Sequence, residues 1–179
     1  MAETVVLGKK LGSGERAYIT LPVTTMASGY RLEVPVHVLN GMKPGPKIFL
    51  NAVSHGDAYT GMQVIKRVLE PADVNELCGT IIAVPCANPI AFEWDSRNTP
   101  VDMNNLNRNF PGSPKGWFTD QLADVVCSIC SEADMLIDWH GGSYGTAINY
   151  ILMKKAEGEL SDRILELGLA YGLEMYYNG

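Results

Sequence analysis

Apolar residues in this chain fall into short alternating or continuous runs, separated by turns rich in glycine, proline and asparagine. Tyr30–Leu39 alternates, with Leu32, Val34, Val36 and Val38 on one side, the period-2 signature of a half-buried strand. Pro35 interrupts that run and predicts an edge strand or a bulge, since proline has no N–H for a ladder. The first 40 residues share this character, and segment 1–42 is expected to form a β-rich edge. Asn40-Gly41 and Lys43-Pro44-Gly45-Pro46 mark a turn into the continuous apolar run Lys47–Val53, too short for a buried helix and therefore read as a buried strand. Thr80–Cys86 and Ala133–Trp139 are of the same kind, and Ala147–Met153 is a further strand candidate.

Helical spacing appears between them. Thr60–Glu70 places Met62, Ile65, Val68 and Leu69 on one face, with Pro71 as the stop; stretches at about 119–131 and Glu159–Tyr171 follow the same period. Strands alternating with helices predict a three-layer α/β fold: a mainly parallel mixed sheet flanked by helices, within one domain over 1–179. The segment 88–115 shows neither period. A polar loop of that length inside a compact domain is usually functional.

Two of the apolar runs end alike. Lys47–Val53 runs into Ser54-His55-Gly56-Asp57, and Ala133–Trp139 runs into His140-Gly141-Gly142. Open α/β sheets collect ligands outside the carboxyl ends of their strands, so two imidazoles delivered there can converge on a metal. Catalytic zinc takes three protein ligands and leaves one position to water. His55 and His140 supply two, position 58 is alanine, and Asp57 is an available substitute. The glycines are expected to let the backbone turn sharply. Read as capping residues alone, either histidine would be ordinary; the matched pair favours a site.

The long loop carries Asn88-Pro89, Phe92, Arg97, Asp102 and Asn105-Leu106-Asn107-Arg108-Asn109-Phe110-Pro111-Gly112. Arginine grips carboxylates bidentately, so Arg97 and Arg108 are either an anion site or solvated loop charges, with Asp102 placed to orient one of them.

Bulk composition narrows the field. A net charge of -6 with 19% charged residues lacks the basic stripe of a nucleic-acid binder. No apolar run reaches the roughly 20 residues that span a bilayer, and the N-terminus lacks a leader pattern; a cytoplasmic address without membrane partners is expected. The four cysteines, Cys78, Cys86, Cys127 and Cys130, do not suggest a disulfide scaffold at this length. Cys127 and Cys130 fall inside a predicted helix, away from its start, and are read as ordinary buried thiols. His37 lies on a predicted strand far from any motif and is read as structural.

In order along the chain, Ser54-His55-Gly56-Asp57, Asn88-Pro89 with Phe92, Asn105–Gly112 and Asp138–Gly142 resemble the succinylglutamate desuccinylase/aspartoacylase family of zinc hydrolases, related to the metallocarboxypeptidases. The resemblance spans roughly residues 45 to 155, and its Asn-Leu-Asn-Arg-x-Phe-Pro-Gly string is specific. It implies a carboxypeptidase-like fold with one zinc per site, His55 and His140 as its ligands, and Arg97 polarising the scissile carbonyl. Asn107 and Arg108 match the pair that holds the substrate carboxylate, with Asp102 supporting them. The implied reaction is attack by metal-activated water on an amide or ester of a small N-acyl amino acid or related carboxylate.

Two departures stand out. The family motif is His-Gly-x-Glu, its Glu the third zinc ligand, and Ala58 occupies that place here. The family's general-base glutamate lies in a later segment that this chain does not match; Glu174 sits in different surroundings. The chain is therefore expected to be the N-terminal part of a catalytic domain, truncated on its C-terminal side, impaired in activity, and open to homodimerisation through an exposed sheet edge. The alternatives are a non-catalytic member that binds a carboxylate ligand and a purely structural module.

Overall fold

The computed structural model describes residues 4–142 and 149–178, which form two compact units, Met1–Tyr144 and Gly145–Gly179. The first unit begins with a hairpin, β1 (Thr4–Val6) and β2 (Lys9–Leu11), followed by β3 (Arg16–Thr25), β4 (Arg31–Asn40) and β5 (Lys43–Ala52). After helix α1 (Thr60–Leu69) come β6 (Cys78–Val84), α2 (Pro89–Glu93), a 3-10 turn (Leu106–Arg108), α3 (Phe118–Cys130) and β7 (Met135–Trp139).

Five strands form one mixed sheet in the order β3-β4-β6-β5-β7. The β6, β5 and β7 strands run parallel, while β4 is antiparallel to both of its neighbours. Helices cover both faces, as the alternation of strands and helices predicts. On one side Phe49, Ile82, Val84 and the Val34/Val36/Val38 row pack against Leu122, Val126 and Ile129 of α3 and the β1–β2 hairpin. On the other, Leu50, Ala52 and Ala83 pack against Ile65 and Leu69 of α1. Consecutive residues of β5, Phe49 and Leu50, thus serve opposite faces, which is why its sequence reads as a continuous apolar run. Burying each such side chain contributes about 1.5–3 kcal/mol.

Three local expectations are revised. Pro35 does not put β4 at the edge: β3 is the edge strand, and β4 pairs with β6 only over His37–Asn40. Pro35 therefore sits where β4 pairs with β3 alone, beyond the stretch that β6 covers. Strand β5 starts at Lys43, through the Pro44-Gly45-Pro46 segment, because an irregularity between Lys43 and Lys47 absorbs residues that cannot hold a regular ladder. The long loop contains α2 and the 3-10 turn; Asn88 followed by Pro89 was the signal, an Asx cap before proline at the first helical position. Asn88 Oδ1 accepts from Ala91 N at 3.2 Å, and its Nδ2 donates to Thr99 Oγ1 at 2.9 Å, both buried.

The second unit holds β8 (Tyr150–Lys154), α4 (Glu159–Tyr171) and β9 (Glu174–Asn178), with β8 and β9 parallel. Gly168 lets α4 approach Met153 and Met175 closely, and Gly172, at φ +80, ends the helix in the left-handed conformation. Of the expected strand Ala147–Met153, the first two residues lie outside the described residues. No helix among the described residues is long and apolar enough to cross a membrane.

Candidate functional site

The parallel strands β5 and β7 are adjacent, with Asn51 opposite Asp138 and Ala52 opposite Trp139, so the turns that follow them emerge side by side. Helix α1 bears on both ends: a Cβ on Gly61 would stand 2.5 Å from the Trp139 Cβ and 3.0 Å from that of Ala52. The two imidazoles meet there, the rings of His55 and His140 lying 5.4 Å apart between centroids and inclined at 57°.

Each ring is oriented by a partner. His55 is 3% exposed, and its Nδ1–H donates to the Arg97 carbonyl at 3.1 Å, leaving Nε2 as the unprotonated nitrogen of the neutral ring. Burial pushes its pKa below the ordinary histidine value, with the Arg97 charge acting the same way against the carbonyl hydrogen bond. His140 is exposed and donates from Nε2 to Asp138 Oδ2 at 2.9 Å. That bond raises its pKa, against partial desolvation and the opposing charges of Arg97 and Arg108. Asp138 Oδ1 in turn accepts from the buried Asn51 Nδ2 at 2.9 Å. Such outer partners fix which nitrogen a histidine presents.

The Asn51–Asp138 pair escaped sequence reasoning. Its signal was a polar residue inside each of two otherwise apolar strands. Val53 was missed as well: it is fully buried at φ +58, a conformation unfavourable for a β-branched residue. Its carbonyl is held by Asn88 N at 3.0 Å. Val53, not Gly56, carries the unusual backbone at this turn. Gly56 is needed for space, because a Cβ there would collide with the Ala91 carbonyl. Gly141 likewise has no left-handed φ.

The loop residues divide. Arg97 gives its carbonyl to His55 and keeps an exposed side chain. Arg108 is exposed beside half-buried Asn107, on the 3-10 turn whose Leu106 is fully buried in the core. Asp102 accepts instead from Thr119 N at 2.8 Å, Thr119 Oγ1 at 2.6 Å and Asn104 N at 3.2 Å, which ties the loop to the first turn of α3. Burial pushes the Asp102 carboxyl upward, but these hydrogen bonds outweigh it and hold the group below the ordinary carboxylate value. His37 stands against Tyr18 in an edge contact at 5.2 Å. Cys127 and Cys130 are half-buried near the end of α3, and burial raises the Cys130 thiol pKa.

A zinc ion sits about 2.0–2.1 Å from each imidazole nitrogen, so two rings flanking one ion have centroids roughly 5 Å apart; the observed separation suits that. The third corner does not. Ala58 is 3% exposed, its N–H donates to the His55 carbonyl at 3.1 Å, and a Cβ on Gly141 would lie 3.4 Å from its methyl. Asp57 lies near enough to act on His55 electrostatically. Among the described residues, however, no group of three His, Cys, Asp or Glu side chains could hold a metal ion. Among the described residues the donor set is thus two imidazoles, one short of the three protein ligands of catalytic zinc.

Residues 44–177 match the succinylglutamate desuccinylase/aspartoacylase catalytic domain. The chain belongs to that family. Over 164 residues it is 29% identical to the N-alpha-acetyl-L-2,4-diaminobutyric acid deacetylase of Halomonas elongata, a match covering 88% of this chain and 47% of that protein. The crystal structure of a succinylglutamate desuccinylase/aspartoacylase from Rhodobacter sphaeroides superposes with a TM-score of 0.76 at 27% identity, over 86% of this chain and 48% of that one. A metallo-carboxypeptidase from Burkholderia cenocepacia, 18% identical, shares the fold with a TM-score of 0.54 over 79% of this chain and 40% of that one. The chain thus spans about half the length of the relatives it matches, and its fold is the carboxypeptidase-like mixed sheet flanked by helices.

Proposed function

We propose that this chain carries the substrate-binding half of a deacylase-type hydrolase site for small N-acyl amino acids, impaired at its metal position. The observation that carries this reading is the convergence of His55, His140 and the Arg97 and Arg108 charges at the ends of β5 and β7. In it, the Arg108 guanidinium, with Asn107 beside it, takes the free carboxylate of the substrate; a planar fork suits a planar anion. Arg97 has its backbone fixed against His55 and its side chain exposed, so its charge can stand against the acyl carbonyl oxygen, where negative charge develops during acyl transfer. Asp102 works at one remove, fastening the loop that bears both arginines to α3. The deacetylase relative supports an N-acetylated amino acid as the first ligand to try.

A second reading, a non-catalytic member that only binds a carboxylate ligand, is favoured by Ala58. Titration calorimetry with an N-acetylated amino acid tests the shared part of both readings. Binding that weakens about tenfold, or roughly 1.4 kcal/mol, in Arg108→Ala is expected; the same heat from both proteins would remove the arginine from the site. Product formation by Ala58→Glu with zinc present separates the two: amine release supports the hydrolase, and binding without release supports the non-catalytic member.

A further inference from the structure

We infer that position 58 is the missing third corner of a two-histidine metal site, and that this chain retains no divalent cation there. The inference rests on the reading of His55 and His140 given above and deepens it.

Three observations meet at this position. The Ala58 N–H donates to the His55 carbonyl, so its side chain starts within one tight turn of the first ring. Gly141, next in sequence to the second ring, comes close enough for an added Cβ to touch the Ala58 methyl. The methyl itself is enclosed and offers no electron pair. A side chain at 58 therefore starts beside the backbone of both histidine turns. Two imidazoles leave a divalent cation one protein ligand short of the three that catalytic zinc takes.

The backbone that holds this corner is braced from elsewhere. Gly56 N donates to the Ser96 carbonyl at 2.9 Å, and Gly56 packs flat against the Ala91 carbonyl. Ala87 N and Asn88 N donate to the carbonyls of Ala52 and Val53 at 2.9 and 3.0 Å. These bonds tie the turn to the segment 87–96 independently of His140. What is lacking is a donor atom, and a single substitution should restore it. Imidazole with carboxylate suits zinc and similar divalent ions.

The test uses metal-stripped chain titrated with zinc by equilibrium dialysis, with cobalt(II) absorption and melting temperature as further readouts. The unaltered protein should hold no stoichiometric zinc, and its melting temperature should not respond. Ala58→Glu should bind one zinc more than about 100-fold tighter, with a tetrahedral cobalt spectrum. Its melting temperature should rise by roughly 5–10 °C when zinc stands 100-fold above its dissociation constant. Adding His140→Ala to Ala58→Glu should abolish all three responses. If an unpaired buried carboxylate keeps Ala58→Glu from folding, Ala58→His offers a donor that is neutral without metal and should show the same gain. One zinc held by the unaltered chain and lost in His140→Ala would overturn the inference, by revealing a third ligand elsewhere. A folded Ala58→Glu or Ala58→His that ignores zinc would overturn it too. Failure here is distinguishable from failure of the carboxylate reading, because calorimetry on Arg108 needs no metal.

Discussion

His55 and His140 leave neighbouring parallel strands and bring their rings within 5.4 Å, yet they are held in opposite ways. His55 follows β5, which lies between β6 and β7. Its turn is buried from Asn51 through Gly56, passes through left-handed Val53, and is bonded on the outside to the segment 87–97. His140 follows β7, the last strand of the sheet, whose Leu136 is 46% exposed. Its ring is braced by Asp138, and Asp138 by Asn51 of β5. The edge histidine thus takes its orientation from the central strand. Precision at this site is built into β5, and the end of β7 has room to adjust.

The sharpest way to break that contrast is at the two turn glycines. Gly56→Ala drives a methyl into the Ala91 carbonyl, and backbone on backbone cannot yield as a side chain can. A loss of about 3 kcal/mol or more is expected, read as a lower urea midpoint at unchanged slope. A midpoint within error of the unaltered protein would mean that the β5 turn is as adjustable as the β7 turn.

The same contrast explains what could be read from the sequence. The strands β5, β6 and β7, the helices α1 and α3, and the placing of two histidines beyond strand ends all follow from period and from turn residues, which are local. The glycine of the His55 turn was legible as necessary but for the wrong reason. Conformational freedom is a local property, whereas the Ala91 carbonyl that excludes a side chain is 35 residues away in sequence. Sequence proximity pairs Asp102 with an arginine of its own loop, whereas its hydrogen-bond partner Thr119 lies in the first turn of the next helix. The pairing of Asn51 with Asp138 depends on the register of two strands 87 residues apart, which no window of sequence contains. Local pattern gives the elements; the second ring of contacts around a site is set by tertiary register.

Asp102 offers a milder test, of how the arginine loop is fastened. Asp102→Asn removes the charge while keeping the shape, and should cost about 1–2 kcal/mol at neutral pH by weakening the bonds to Thr119. Because the folded protein holds this carboxyl below its ordinary value, the contribution is present above the unfolded pKa and is lost as pH falls through the folded one. The stability gap between the two proteins should therefore narrow as pH is lowered from 7 toward about 3. A gap that widens on acidification would show that the aspartate is not stabilised as its anion.

The smallest effect is expected on the β7 side. Gly141 has no left-handed φ, and a Cβ there would lie 3.4 Å from the Ala58 methyl, an ordinary contact between two apolar groups. Gly141→Ala should cost less than about 1 kcal/mol, several-fold less than Gly56→Ala, although both glycines follow a histidine directly. The ratio of the two losses matters more than either value, since it measures how unequally the strands hold their ends. If Gly141→Ala proved as damaging as Gly56→Ala, the β7 turn would be as constrained as the β5 turn, and the site would be built equally from both strands.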